Sequence, residues 1–118
     1  MKIAFPAVEA SPESLIDERF GRAARFLVYE AEKDAWEILD NEQNLNAAQG
    51  AGIQAAETLA RHGVNALIAG HCGPKAFRTL SAAGIEVYTF EGKITEGLKA
   101  YQAKALKEVD GPNVEGHW

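Results

Sequence analysis

Two stretches of this chain, offset by 21 residues, end in the same way. Thr58-Leu59-Ala60-Arg61-His62-Gly63-Val64 and Thr79-Leu80-Ser81-Ala82-Ala83-Gly84-Ile85 each close a helical pattern at a glycine and then enter an apolar run. A glycine just past a helix takes the left-handed conformation that ends it. Two copies of a helix-to-strand unit call for parallel strands joined through right-handed crossovers. The chain is therefore read as α/β and not as a solenoid.

The remaining elements follow from periodicity. Lys2 to Phe5 reads as a first strand closed by Pro6, and residues 7–22 as a polar loop. Arg25 to Glu30 alternates, Glu32-Lys33-Asp34 turns, and Ala35 to Leu39 pairs back as a hairpin. Asp40 to Asn46 is a polar loop. A helix from about Gln49 places Ile53, Ala56, Leu59 and Ala60 on one face. Then come a strand over Ala66–Ala69, a helix over Pro74–Ala83 and a strand over Glu86–Phe90. A last helix, Thr95 to Glu108, sets Leu98, Tyr101, Ala105 and Val109 in one stripe. Residues 110–118 carry no pattern and read as a flexible tail after a domain spanning 1–109.

Connection rules arrange these elements as a mixed five-stranded sheet of order 3-2-1-4-5 with three helices. The first strand then lies beside the fourth. The loops after them, 7–22 and 70–74, open onto one crevice at the strands' carboxyl ends.

The second loop holds the most chemistry. Ala69-Gly70-His71-Cys72-Gly73-Pro74-Lys75 joins a buried strand to a helix with proline at its first position. Such a turn aims backbone N–H groups into the crevice, and the helix dipole favours an anion there. His71 and Cys72 are candidate metal ligands. Equally, Cys72 is a small buried hydrophobe and His71 a turn cap. Arg19, Arg22 and Lys75 form a cationic rim, or else a solvated surface paired with Asp17, Glu18 or Glu9. Lys75 in a helix's first turn opposes the dipole unless an anion is near. Gly50-Ala51-Gly52 lacks the rest of a phosphate loop and reads as a closely packed helix entry. Phe20 covers the crevice or anchors its loop, His62 compensates a helix C-terminus, and His117 lies in the tail.

Composition excludes several classes. At 118 residues the chain makes one domain, and its formal net charge of −5 argues against general nucleic-acid or anionic-membrane binding. One cysteine excludes an internal disulfide and a four-cysteine zinc or iron–sulfur site within the chain. No apolar run approaches the ~20 residues of a membrane span. The start at Met1-Lys2-Ile3-Ala4-Phe5 shows no signal-peptide pattern, so a cytoplasmic protein is expected.

Three segments together are similar to a known family: Asp17-Glu18-Arg19-Phe20-Gly21-Arg22-Ala23 leading into Phe26-Leu27-Val28-Tyr29, then Gly50-Ala51-Gly52-Ile53-Gln54-Ala55-Ala56, then Ala69 to Ala76. They resemble the dinitrogenase iron–molybdenum cofactor biosynthesis family, over about residues 1–109. That family includes small nitrogenase cofactor carriers and the orange protein of sulfate-reducing bacteria, and the single-domain length looks more like the latter. The resemblance implies an RNase H-like fold and non-enzymatic, non-covalent binding of a molybdenum-containing metal–sulfur cluster, Mo-Fe-S or Mo-Cu-S. It implies cluster-donor or cluster-acceptor proteins as partners, and neither nucleic acid nor membrane. Carried over position by position, it implicates Arg19, Gly21 and Arg22, then Gly70, Gly73, Pro74 and Lys75, while position 72 varies in the family.

Preformed metal–sulfide clusters are anionic and bring their own sulfides. A carrier needs cations, N–H donors and one or two exchangeable ligands, which suits this set. Two enzyme readings are weaker. A two-metal nuclease needs acids on the first strand, and Lys2-Ile3-Ala4-Phe5 has none. A cysteine hydrolase needs Cys72 and His71 to reach each other, which adjacent side chains seldom do. A nucleotide- or small-anion-binding module using the same turn is the remaining alternative.

Overall fold

The computed structural model describes residues 1–42 and 50–109. Strands β1 (Lys2–Ala7), β2 (Arg25–Glu30), β3 (Ala35–Asp40), β4 (Ala66–Ala69) and β5 (Glu86–Thr89) form one sheet of order β3-β2-β1-β4-β5. β1, β2 and β3 pair antiparallel, whereas β1–β4 and β4–β5 are parallel. Helices α1 (Ala51–Arg61), α2 (Pro74–Ala82) and α3 (Ile94–Gln102) complete it, with a short 3-10 turn at Phe20–Arg22. The expected order and helix count hold. The glycine stops hold too: Gly63 and Gly84 have φ of 73° and 78°.

Alternation along the inner strands splits the core between two faces. Ala4, Phe26, Val28, Leu67, Ala69 and Val87 face α1 and α2, meeting Ala55, Ala56, Leu59, Ala76 and Leu80. Ile3, Phe5, Leu27, Tyr29, Ala66 and Ile68 face α3, meeting Ile94 and Leu98. Helices cover both faces, so β1, β2 and β4 read as near-continuous apolar runs.

Four expectations need correction. β1 runs through Pro6 to Ala7, with Pro6 opposite Phe26. Its register with β4 covers only Ile3 and Ala4, so no donor is demanded of residue 6 on that side. Beyond it the 7–22 segment takes the neighbouring place: Ala7 bridges Ile16, and Asp17 N–H donates to the Pro6 carbonyl at 2.8 Å. That segment is therefore no purely polar loop, and Ile16, Ser14 and Asp17 are buried in it. The buried face of α1 is Ala51, Gly52, Ala55, Ala56, Thr58 and Leu59, leaving Ala60 exposed. An apolar alanine tolerates either side of a helix, so periodicity misplaced the stripe.

The largest departure is α3, which ends at Gln102, six residues before the expected stop. Lys104 adopts φ 60°, and the chain turns back so that Glu108 bridges Tyr88 and Val109 N–H donates to the Val87 carbonyl at 2.8 Å. The stripe is split accordingly: Leu98 and Tyr101 pack beneath α3, while Val109 packs with the opposite cluster. The expected tail at 110–118, with His117, and most of the loop to Asn46 lie outside the described residues.

The sign of one substitution tests this ending. Lys104→Gly relieves a left-handed backbone and is expected to raise stability by up to about 1 kcal/mol. In a helix running to residue 108 the same change would cost about 1 kcal/mol. Urea denaturation of the two proteins distinguishes the cases.

Candidate functional site

The loops after β1 and β4 meet. A side chain built on Gly70 would come 3.6 Å from the Glu18 Cα, an ordinary contact distance. The 15–18 segment is held from both sides, by Ala7 and Pro6 of β1 and by a 2.9 Å bond from Ile16 N–H to the Gly92 carbonyl. Adjoining Gly70 is an open cleft of about 520 Å³ lined by Gly70, His71, Thr89, Phe90 and Glu91.

On the first loop, Phe20 is fully buried against Phe26, with ring centroids 5.5 Å apart, so it is an anchor and no lid. Gly21 follows immediately and has no room for a side chain. A Cβ there would fall 2.6 Å from the Gly52 nitrogen and 2.9 Å from the Ala51 carbonyl carbon. Gly52 in turn would place a Cβ 3.1 Å from that of Ala76 in α2. Gly52 thus serves close packing, whereas Gly50 has open space around it and caps α1 in the left-handed conformation at φ 78°. Arg19 follows Asp17 in a fork: its Nε and Nη2 donate to Oδ1 and Oδ2, each at 3.3 Å. The Asp17 carboxylate is nearly buried, while the Arg19 side chain is 63% exposed. The pairing of Arg19 with Asp17 is thus present in the structure.

On the second loop, α2 starts at Pro74 with Gly73 as N-cap, and among the described residues no side chain caps its first turn. The Lys75 and Ala76 N–H groups belong to the first-turn donors that a helix leaves without intrahelical partners. Lys75 is exposed beside them, and His71 is half-buried with its Nδ1 inside. Cys72 is buried in the cluster that includes Phe20 and Ala76. Burial pushes its thiol up to about 12. The neutral thiol is the form that the fold favours, and its contribution to stability fades only as pH climbs toward that value. Burial also separates the neighbours, with His71 nearer the solvent.

Two features escaped the sequence reading, a buried asparagine and an acidic residue on the cleft wall. Asn41 is fully buried, and its Nδ2 donates to the Gly21 and Ala23 carbonyls at 3.2 and 2.7 Å, pinning the 3-10 turn. Only its place just after a strand marked it. Glu91 on the cleft wall and Glu18 beside Gly70 make the rim mixed in sign, because the β5 end joins the crevice. Among the described residues, no group of three or more His, Cys, Asp or Glu side chains is placed to hold a metal ion.

The loops after β1 and β4 thus come together beside a glycine-flanked helix start. The chain belongs to the dinitrogenase iron-molybdenum cofactor family, whose model matches residues 1–104. Its fold is similar to the apo form of the orange protein from Desulfovibrio gigas, at 39% identity over 96% of each chain and a TM-score of 0.93. A Thermotoga protein of the DUF35 family is similar at 35% identity, 98% of each chain and a TM-score of 0.84. An uncharacterized Methanocaldococcus jannaschii protein shares 35% identity over 93% of this chain and 92% of its own length. No helix among the described residues is long and apolar enough to cross a membrane.

Two measurements check the packing described here. Gly21→Ala must push two backbones apart and should cost about 1–3 kcal/mol, whereas Gly70→Ala should leave the melting temperature nearly unchanged. A maleimide at pH 7 should modify Cys72 far more slowly in the folded protein than in guanidinium, since neither thiolate nor access is available before unfolding. Equal rates would place the thiol at the surface.

Proposed function

We propose that this protein is a non-enzymatic carrier of an anionic metal–sulfur cluster of the Mo-Fe-S or Mo-Cu-S type, bound non-covalently in the β1–β4 crevice. The observation that carries the reading is the contact of the two loops at Gly70 and Glu18, which gathers both family motifs at one place. The Lys75 and Ala76 N–H groups and the Lys75 ammonium receive the cluster's negative charge. Arg19 and Arg22 approach from the other loop. The fork between Arg19 and Asp17 is largely solvent-exposed on the arginine side, and such pairs contribute little, so an incoming anion can recruit the guanidinium.

His71 is the side chain suited to exchangeable coordination. It lines the cleft and offers a nitrogen ligand that binds when neutral. Cys72 fits a different part. A ligand must be a thiolate, and a buried thiol held neutral up to about 12 is a core residue unless the turn opens. Gly73 allows the chain to enter α2 without a side chain over the donors. Gly21 lets the Arg19–Arg22 turn sit on α1. In this reading the cluster is cargo, supplied by a donor protein and passed to an acceptor, and the domain extends over residues 1–109.

The test is reconstitution with tetrathiomolybdate plus copper, or with iron plus sulfide, followed by desalting. Stoichiometric metal with visible charge-transfer bands is expected. Arg19→Ala combined with Lys75→Ala should weaken retention roughly ten- to hundredfold, the scale of two lost charge-assisted contacts. Cys72→Ala should change it less than the double variant does. Metal lost under every condition refutes carriage, and loss confined to the Cys72 variant makes the thiol a ligand.

A further inference from the structure

One edge of the sheet carries a dense run of carboxylates. Between Glu30 and Glu42 stand six carboxylates against Lys33 alone, a balance of −5 that equals the formal charge of the whole protein. This segment is the β2–β3 hairpin, and β3 is the outermost strand. Among the described residues, β3 pairs only with β2.

That edge is complete as a template for another strand. Asn41 N–H donates to the Ala24 carbonyl at 2.9 Å, in register with the ladder that follows. Antiparallel alternation then turns the backbone groups of Ala35, Glu37 and Leu39 toward β2 and those of Trp36, Ile38 and Asp40 outward. All six pairs with β2 are continuous, with no bulge and no proline. Edge strands are ordinarily blunted by a lysine, a proline or a bulge, and β3 has none of these. Trp36 and Ile38 share a face. Trp36 is seated against Tyr29 and Phe5 at 5.0 and 5.9 Å between ring centroids, and Ile38 is 55% exposed.

Charge selects what can add here. A second copy of β3 would bring its own Glu37 and Asp40 against these, and facing like charges destabilise a strand pair. We infer that the outer edge of β3 is a docking strand for a partner protein that presents an extended, lysine- or arginine-bearing segment. Its backbone would pair with Trp36, Ile38 and Asp40, its apolar side chains would lie on Trp36 and Ile38, and its cations would meet Glu37 on the opposite face. The Met1 amine already occupies Glu30 and Glu32, at 3.1 and 3.3 Å, which leaves the Glu37–Glu42 end as the receptive part.

The probe is an eight-residue peptide of alternating lysine and valine, titrated into the labelled full-length protein. Amide shifts confined to Ala35–Asp40 with a change in Trp36 fluorescence are expected. A version N-methylated at alternate residues, which keeps the charge but removes the ladder donors, should bind about tenfold weaker or worse. The glutamate counterpart should not bind. Glu37→Lys combined with Ile38→Lys should abolish binding without lowering the melting temperature. The inference is overturned by no binding, by equal binding of the N-methylated peptide, or by shifts mapping elsewhere. Concentration-dependent dimerisation that the Glu37/Ile38 double variant abolishes would overturn it too, by making a second copy the occupant.

Discussion

The site depends on a stack of three backbones at Gly21, Gly52 and Ala76. Each member is small because the next stands in the way: a Cβ on Gly21 would overlap the first turn of α1, and one on Gly52 would press on Ala76 of α2. The stack fixes the distance between the turn that carries Arg19 and Arg22 and the helix start that carries Lys75. Asn41 fastens the same turn from below through two carbonyls. The polar groups at the surface therefore rest on rigid apolar contacts, and the loops need no bound ligand to stand together. That is how a site made of loops can be preorganised.

Sequence periodicity carried most of the fold, and its failures share a cause. The strands were legible because inner positions are apolar on both faces, and the glycine stops because a left-handed residue ends a helix. α3 was overextended because Ala105 and Val109 happen to continue its spacing, although a left-handed Lys104 had already turned the chain. Lysine rarely takes that conformation, so no local signal marked the break. Pro6 was read as a stop from a rule that holds only where the neighbouring strand needs its donor.

The candidate site was legible in its residues but not in their states. Placing both loops in one crevice required only the strand order. That Asp17 would occupy the Arg19 fork, that the Cys72 side chain would turn into the core while its neighbour His71 stayed at the cleft, and that Glu91 would join the wall are consequences of packing. Burial decides between a ligand and a structural thiol. It moves the ionisation of a cysteine by several powers of ten, and one residue's shift along the chain changes which way a side chain points.

These states suit the proposed holding and releasing better than permanent ligation. A thiolate would bind soft metal tightly, and its withdrawal into the core leaves attraction to main-chain N–H groups, a half-buried imidazole and surface cations. Surface cations are screened by salt, and Asp17 would compete with the cargo for Arg19, so each would contribute modestly and none would commit the cargo. The acidic edge lies at the β3 side, and Asn41, the residue just after that strand, fastens the turn that bears Arg19 and Arg22. In the proposed reading a basic partner would meet a run of carboxylates, and an anionic cargo a rim where Arg19, Arg22 and Lys75 stand among Glu18 and Glu91. Cations clustered along the hairpin would draw the cluster away from the crevice, and carboxylates there repel it. An acidic hairpin would keep an anion from being caught at the wrong edge while a basic partner is drawn to it, so the proposed sites for cargo and partner would not compete for one place.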